Sequence, residues 1–237
     1  QGDAFVACLA LDGTAIRWST FLGGTGSDLA TAVTADMSGN IFVAGSASTT
    51  LNGIGWNIQK ISASDGSLVT AFSGDGILND TNPSAVTDEA LALALNGTAI
   101  FVTGYDGVQG GASPQQWRTQ KYNITTGATT TAFGVNGAVT FNNTTTADND
   151  QAKAIAINST DVYVAGFDDD DAGRARIYKY DIVTGATSTD SFGRAGTVMS
   201  EDGGDDRFNA IFLNGNYLYV GGYGSGLVLF RMRDHNA

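Results

Sequence analysis

Residues 28–46, "DLATAVTADMSGNIFVAGS", contain the pattern that decides the fold, because the chain repeats it three more times. The later copies are "DEALALALNGTAIFVTGY" at 88–105, "DQAKAIAINSTDVYVAGF" at 150–167 and "DRFNAIFLNGNYLYVGGY" at 206–223. Successive copies start 60, 62 and 56 residues apart, and a steady period of this length is typical of repeat architectures. The repeated positions are the opening acids Asp28, Asp88, Asp150 and Asp206 and the closing glycines Gly45, Gly104, Gly166 and Gly222.

Each repeat predicts four short β-strands joined by turns. In the copy that starts at Asp88 these are an Ala-rich strand at 89–95, a β-branched and aromatic strand at 99–104, an alternating strand at 117–123 and a Thr-rich strand at 128–133. The neighbouring copies place the Thr-rich fourth strand at 67–72 and 186–192. Asn-Gly, Asp-Gly and Thr-Gly pairs supply turn residues, and no sustained 3.6-residue period indicates helix.

Four antiparallel strands per unit, repeated in series, predict an all-β fold, a β-propeller with four-stranded blades of about 56–62 residues. The small Ala side chains suit a first strand close to a crowded axis, and threonine suits a fourth strand at the solvated rim. A β-helix needs shorter rungs and a stricter period, and a sandwich is the other alternative. We expect one domain, 1–237, with blade parts at about 3–27, 28–87, 88–149, 150–205 and 206–237.

The expected strands do not fill a whole number of blades. Two lie near the N-terminus, twelve in three complete sets and three near the C-terminus, which makes 17. Three alternatives remain open: a piece of a larger propeller, a small ring with an incomplete blade, or a ring completed by another chain. Since open terminal blades expose apolar faces, we expect partners that are other protein chains or further repeats of the same protein.

Two stretches resemble known propeller repeats. Residues 3–49, "DAFVACLALDGTAIRWSTFLGGTGSDLATAVTADMSGNIFVAGSAST", resemble the SBBP repeat, which is named for seven-bladed β-propellers. Later segments such as "AFGVNGAV" at 132–139 resemble the delta-60 type of β-propeller repeat. The resemblance implies a propeller in a secreted or cell-surface protein of a bacterium or archaeon. One departure is Cys8, which stands where the SBBP pattern has lysine.

The charge balance excludes some partners. The chain has a net charge of −12 with only 12 Lys and Arg, which argues against nucleic acid and against docking on anionic lipid. No apolar run reaches the roughly 18 residues that a membrane span needs, so we expect no insertion.

Few residue types offer catalytic chemistry. His235 is the only histidine and Cys8 the only cysteine, so a His-based triad or a multi-histidine metal site within one chain is excluded. We interpret Cys8 as a small apolar strand residue. The sequence therefore predicts no catalytic residue and no organic cofactor.

Carboxylates form the only dense group of candidate ligands. The run 168–171 and the cluster 201–206 lie in loops and offer hard oxygen ligands of the kind that calcium takes. Neither matches an EF-hand, and solvated loop charge is the alternative interpretation. The candidate calcium ligands are Asp168, Asp170, Asp202 and Asp205.

Aromatic residues follow three of the closing glycines: Tyr105, Phe167 and Tyr223. They are either packing residues or a ring of side chains at one mouth of the propeller that stacks on a glycan or grips a peptide. The repeated aspartates have a structural interpretation, because a catalytic group is needed only once. We expect them to accept backbone N–H groups where the chain enters each first strand.

Three functional hypotheses follow. The first is a non-enzymatic extracellular structural or adhesive propeller that mediates protein assembly at the cell surface. The second is a secreted polysaccharide hydrolase or lyase that uses loop carboxylates. The third is a propeller that binds a glycan or small ligand through its aromatic residues.

Overall fold

The computed structural model describes residues 2–48, 53–80, 87–107, 115–142, 149–169, 173–189, 192–200, 205–224 and 231–233, the last range as backbone only. Within these ranges the chain forms strands, turns and bends, and no helix. The predicted all-β class is therefore confirmed.

Seventeen strands lie within the described ranges. They are β1 (Ala4–Leu9), β2 (Ile16–Leu22), β3 (Leu29–Ala35), β4 (Asn40–Ser48), β5 (Ile54–Ser62), β6 (Ile77–Asp80), β7 (Glu89–Leu95), β8 (Ala99–Gly107), β9 (Gln115–Asn123), β10 (Ala138–Phe141), β11 (Gln151–Ile157), β12 (Asp161–Asp168), β13 (Arg174–Asp181), β14 (Thr197–Met199), β15 (Arg207–Asn214), β16 (Tyr217–Tyr223) and β17 (Arg231–Arg233).

The strands form five antiparallel sheets, each a meander in which sequence neighbours pair. We call them the N-terminal sheet (β1–β2), sheet I (β3–β6), sheet II (β7–β10), sheet III (β11–β14) and the C-terminal sheet (β15–β17). The three central sheets have four strands each, so the predicted four-stranded antiparallel unit is confirmed.

The prediction for the fourth strands was wrong. The Thr-rich segments 67–72 and 128–133, and the described part of 186–192, are turns that each carry a single bridge to the third strand. The fourth strands begin several residues later, as β6, β10 and β14.

Burial of one phenylalanine explains the displaced strand. Phe72 is fully buried and its ring meets the Phe42 ring edge to face, with the centroids 6.0 Å apart. The chain turns inward to place this ring, and the Phe72 N–H donates to the Val69 carbonyl. Gly74 and Gly76, both with positive φ, then reverse the chain so that β6 can pair with β5.

The repeated closing glycines lie opposite β-bulges. In sheet II the register shifts between Ala90 and Ala92 of β7, across from Gly104 of β8. The bulge brings the Glu89 carbonyl so close that a Cβ on Gly104 would lie 1.9 Å from its oxygen. Equivalent bulges face Gly45, Gly166 and Gly222, where the corresponding distances are 1.8, 2.0 and 1.8 Å.

Successive sheets pack face to face in chain order. The first strand of each following sheet contacts the first and second strands of the preceding one, as β7 does with β3 and β4. An apolar cluster fills each junction; that between sheets I and II includes Trp56, Ile58, Ile100 and Val102. Each of the three central sheets is therefore buried by its neighbours along the chain.

Replacement of Gly104 by alanine tests the bulge. We expect Gly104→Ala to lower the free energy of unfolding by about 3 kcal/mol, because the added methyl collides with a backbone carbonyl rather than a flexible side chain. Gly97→Ala is the matched control, since a Cβ at Gly97 meets nothing within 4 Å, and it should change stability by less than about 0.5 kcal/mol. Urea unfolding measures both, and equal effects would contradict the close-approach argument.

Candidate functional site

Several buried carboxylates lie at one end of the sheets. The start of the first strand meets the end of the second there, as in the pair Leu29 and Ser46. The third strand begins and the fourth strand ends at the same level, as in the pair Trp56 and Asp80. We call this the glycine end of the sheets, because the closing glycines lie next to it.

Three repeated aspartates accept backbone N–H groups at the glycine end. Asp28 Oδ1 accepts from Ser48 N at 3.2 Å, and Asp88 Oδ1 accepts from Gly107 N at 2.7 Å. Asp150 Oδ1 accepts from the Asp169 N–H at 3.2 Å in the same way. Each bond joins the start of a first strand to the end of its second strand.

The fourth aspartate, Asp206, is also buried, and its two carboxylate oxygens have no hydrogen-bond partner among the described residues. By position in the repeat, the matching N–H belongs to Ser225, which lies outside the described residues.

A buried arginine joins sheets I and II at the glycine end. Arg118 Nη1 lies 3.1 Å from Asp106 Oδ1 of its own sheet, and Arg118 Nη2 lies 2.5 Å from Asp80 Oδ2 of sheet I. Tyr122 donates its hydroxyl proton to the same Asp80 oxygen. The guanidinium also lies 4.6 Å from the Trp56 ring centroid. We call Arg118, Asp80, Asp106, Tyr122 and the adjacent Asp88 the Arg118 cluster.

Sheet III repeats part of this arrangement. Arg176 corresponds to Arg118 in the repeat and forms an ion pair with the fully buried Asp168. Its guanidinium lies 5.2 Å from the centroid of Phe141, which takes the place of Asp80. An arginine thus packs across the junction in both cases, onto a carboxylate in one and onto an aromatic ring in the other.

The Arg118 cluster contains more carboxylates than cations. The pKa of Asp88 is raised to about 7, chiefly by burial and also by the charge on Asp106, while the Gly107 N–H and Arg118 oppose the shift. Burial also raises the pKa of Asp106, and Arg118 opposes that shift as well. The cluster can therefore change its protonation near neutral pH while it holds two sheets together.

Indole and ammonium groups link each sheet to the next through backbone carbonyls. Trp56 Nε1 donates to the Tyr105 carbonyl at 3.1 Å, and Trp117 Nε1 donates to the Phe167 carbonyl at 2.7 Å. Lys60 Nζ donates to the carbonyl of Ile124 at 2.9 Å. The equivalent bond one unit later joins Lys121 Nζ and the Ile182 carbonyl at 2.7 Å.

The N-terminal sheet makes the same link with a different residue. Cys8 occupies the position of Lys60 and Lys121, and its side chain is shorter than that of lysine and has no ammonium group. Its cross-strand neighbour Trp18 donates from Nε1 to the Ala63 carbonyl at 2.9 Å, and Ala63 is the repeat equivalent of Ile124. The sequence showed that the lysine is missing. It did not show that Trp18 replaces it, because Trp18 lies on a different strand from the lysine position.

Each of the two described candidate calcium ligands forms an ion pair with an arginine. Asp168 pairs with Arg176, whereas Asp205 Oδ1 lies 2.9 Å from Arg207 Nε. Asp170 and Asp202 lie outside the described residues. Among the residues that are described, no three His, Cys, Asp or Glu side chains form a group that could hold a metal ion.

The three candidate ligand-binding aromatics differ in exposure. Tyr105 is buried and its hydroxyl donates to Glu89 Oε2 at 2.8 Å, and Phe167 is buried beneath the Arg207 guanidinium, 4.1 Å from its ring centroid. Tyr223 is 51% exposed. Of these three rings, only Tyr223 presents a substantial surface to solvent.

The two terminal sheets expose apolar side chains. In the N-terminal sheet Phe5 of β1 is 65% exposed. It lines a groove of about 340 Å³ between β1 and β3 together with Val33 of the adjoining sheet I, which is 63% exposed. In the C-terminal sheet Phe212 is 65% exposed and Tyr219 40% exposed. These sheets lack a neighbour on one face within the described residues.

Comparisons with known proteins give little similarity. No protein-family model matches the sequence, and no curated protein matches it significantly. A solved structure, the tail fiber of Staphylococcus aureus phage P68, is similar over 86% of this chain and 48% of that chain, with 12% identity and a TM-score of 0.29. The chain thus spans about half the length of that protein. In the described part of the chain, no helix is long and apolar enough to cross a membrane.

Removal of the buried guanidinium tests whether the Arg118 cluster holds the sheets together. We expect Arg118→Met to cost about 3–5 kcal/mol in unfolding free energy, because Asp80 and Asp106 lose their shared cation while they stay desolvated. Arg17→Met, at an exposed site on β2, should change stability by less than about 0.5 kcal/mol. Chemical unfolding monitored by tryptophan fluorescence gives both values, and a mild effect of Arg118→Met would refute the role.

The raised pKa of Asp88 predicts a pH-dependent stability. A carboxyl whose pKa rises from 3.8 when unfolded to about 7 when folded stabilises the fold below pH 4 and loses that contribution as the pH rises through 7. Asp88→Asn keeps an oxygen acceptor for the Gly107 N–H but carries no charge. We therefore expect the wild type to lose stability relative to Asp88→Asn between pH 5 and 8, as measured by urea unfolding.

The control for this titration is Asp12→Asn. Hydrogen bonds from Thr14 lower the pKa of Asp12, so its protonation lies below the tested range and its difference from wild type should stay constant from pH 5 to 8. A constant difference for Asp88→Asn as well would contradict the assignment.

Proposed function

We propose that the sheets are blades of a β-propeller of the SBBP or delta-60 type. The support is the mutual contact of first strands: β3 contacts β7, β7 contacts β11 and β11 contacts β15. Strands that lie side by side around a common axis make such contacts. The small residues of these strands, such as Ala90 and Ala152, fit the crowding near an axis, and the sequence resemblance adds to the proposal.

We propose that the chain is a non-enzymatic structural or adhesive module outside the cell, at the cell surface, where it assembles with other protein chains or further repeats. One observation carries the proposal: positions that are buried at the internal junctions are exposed at both ends of the stack. Phe42, Phe101 and Tyr163 are fully buried, whereas Tyr219, their equivalent in the C-terminal sheet, is 40% exposed. Exposed apolar faces of this kind mark interaction surfaces.

The polar groups support a mechanical role. The Arg118 cluster and the indole and ammonium bonds to carbonyls all join one sheet to the next. Groups that are engaged in this way rigidify the stack, and a rigid stack transmits force between partners bound at its ends.

Sedimentation velocity of the purified chain tests the assembly. We expect concentration-dependent association, weakened at least several-fold by Val33→Asp, because a carboxylate in the apolar groove must be desolvated when the face is covered. Leu11→Asp is the control, since Leu11 is fully exposed in a turn, and it should leave association unchanged.

Two results would contradict this function. A chain that stays monomeric at all concentrations removes the assembly. In a parallel glycan-array and hydrolysis screen, turnover would support the polysaccharide-active enzyme, and binding without turnover would support the glycan binder.

A further inference from the structure

The strand β1 occupies the third position of a sheet. It contacts β3, as the third strands β5 and β13 contact the first strands β7 and β15 of the following sheets. Its partner β2 then takes the fourth position, and Trp18 of β2 makes the bond to Ala63 that third-strand lysines make elsewhere. Within the described residues, β1 pairs only with β2, so the positions of a first and a second strand beside it are open.

The open position leaves a defined apolar groove. In the complete junctions, the second strand of one sheet contacts the first strand of the next, as β4 does with β7. Leu93 of β7 consequently packs against the junction cluster, and Ile155 of β11 does the same one unit later. Val33 is their repeat equivalent, but it is 63% exposed and lines the groove of about 340 Å³ beside β1. The groove therefore lies where a second strand would pack, and its apolar lining suits such a strand.

The C-terminal sheet has the complementary deficiency. Its strands β15 and β16 are a first and a second strand, and they already pack on sheet III through Phe208, Leu218 and Val220. The opposite face of β16 carries Tyr219, whose equivalent Phe42 contacts the next sheet and is fully buried. Among the described residues, no following sheet covers Tyr219.

We infer that the β15–β16 hairpin of a second copy docks beside β1, with its β16 antiparallel to β1, and completes a four-stranded sheet across two chains. This inference rests on the proposed assembly and specifies its partner and its register. Tyr219 of one copy then covers Val33 of the other, in the way that their equivalents Phe42 and Leu93 share one apolar cluster inside a chain. Repetition of the contact joins copies head to tail.

In the composite sheet, β1 and β17 compete for the same place, the third-strand position beside β16. Within its own chain, β16 pairs with β17 through three residues, and β1 would take that edge. The hairpin β1–β2 is anchored to sheet I by Ala4 and Leu22, which pack with Val43 and Ile61, and by the Trp18 bond. The anchored hairpin also supplies a fourth strand, so β17 is the strand that leaves.

The repeat fixes the register of the new pair. In the three complete sheets, the aromatic residue of the second strand lies opposite the third-strand lysine: Phe42 opposite Lys60, Phe101 opposite Lys121, and Tyr163 opposite Lys179. Cys8 holds the lysine position in β1. Tyr219 of the partner copy should therefore lie directly opposite Cys8, within the Cα separation that a disulfide spans.

Cysteine cross-linking of the full chain tests this register. We expect Tyr219→Cys, under mild oxidation, to form disulfides between the introduced thiol of one copy and Cys8 of another, seen as dimers and higher species on non-reducing gels and identified by mass spectrometry of the linked peptides. The control Tyr223→Cys places an exposed cysteine on the same strand but opposite Ala4, about 13 Å along β1 from Cys8, and should cross-link at most a tenth as much. Cys8→Ala in the Tyr219→Cys chain should abolish the product, and circular dichroism checks that each variant folds.

The outcomes test the composite sheet separately from the assembly on which it rests. Sedimenting oligomers in which Cys8 does not cross-link to the thiol introduced by Tyr219→Cys would overturn the composite sheet and leave the assembly intact. The same disulfide formed within single chains would also overturn it, since the stack would then close on itself. Equal cross-linking of Tyr219→Cys and Tyr223→Cys would show random collision and refute the register.

Discussion

Every sheet in this chain depends on its neighbours for burial. A meander of four short strands has two broad faces and too few residues to cover either, so each sheet becomes stable only when the preceding and following sheets lie against it. The junction of sheets I and II shows the result: Trp56 and Ile58 from one sheet and Ile100 and Val102 from the next form one cluster with essentially no exposed surface. Because of the same dependence, apolar side chains at the two ends of the stack remain exposed to solvent.

Hydrogen bonds between sheets fix the relative position of the packed sheets. An apolar face tolerates sliding, whereas a hydrogen bond from Lys60 to the Ile124 carbonyl or from Trp117 to the Phe167 carbonyl sets one relative position of two sheets. The N-terminal sheet keeps the bond although it has Cys8 in place of the lysine, because Trp18 reaches the equivalent carbonyl of Ala63. The accepting carbonyl thus keeps its position in the repeat, while the donor moves from the third strand to the fourth.

Local pattern was sufficient for part of the structure. Alanine-rich, β-branched and alternating segments predicted the first three strands of each unit, because side-chain period and turn residues report strands directly. The Thr-rich fourth strands were misplaced because their β propensity is strong, whereas the chain there turns inward to bury residues such as Phe72 and pairs only later. Among the candidate site residues, Asp168 and Asp205 form ion pairs with different arginines, and Tyr105 and Phe167 are buried. The sequence pattern did not indicate these partners, because they are set by the packing of strands.

The sequence by itself determined the repeat, the all-β class and the antiparallel four-stranded unit, because these follow from period and composition along the chain. Only the tertiary structure decided that Arg118 meets Asp80, that Trp18 replaces a lysine and that Gly104 faces a bulged carbonyl. The physical reason is that each of these contacts joins a strand residue to a residue of another strand or turn. The packing of the sheets decides which residues meet in these contacts, and a short stretch of sequence does not show it.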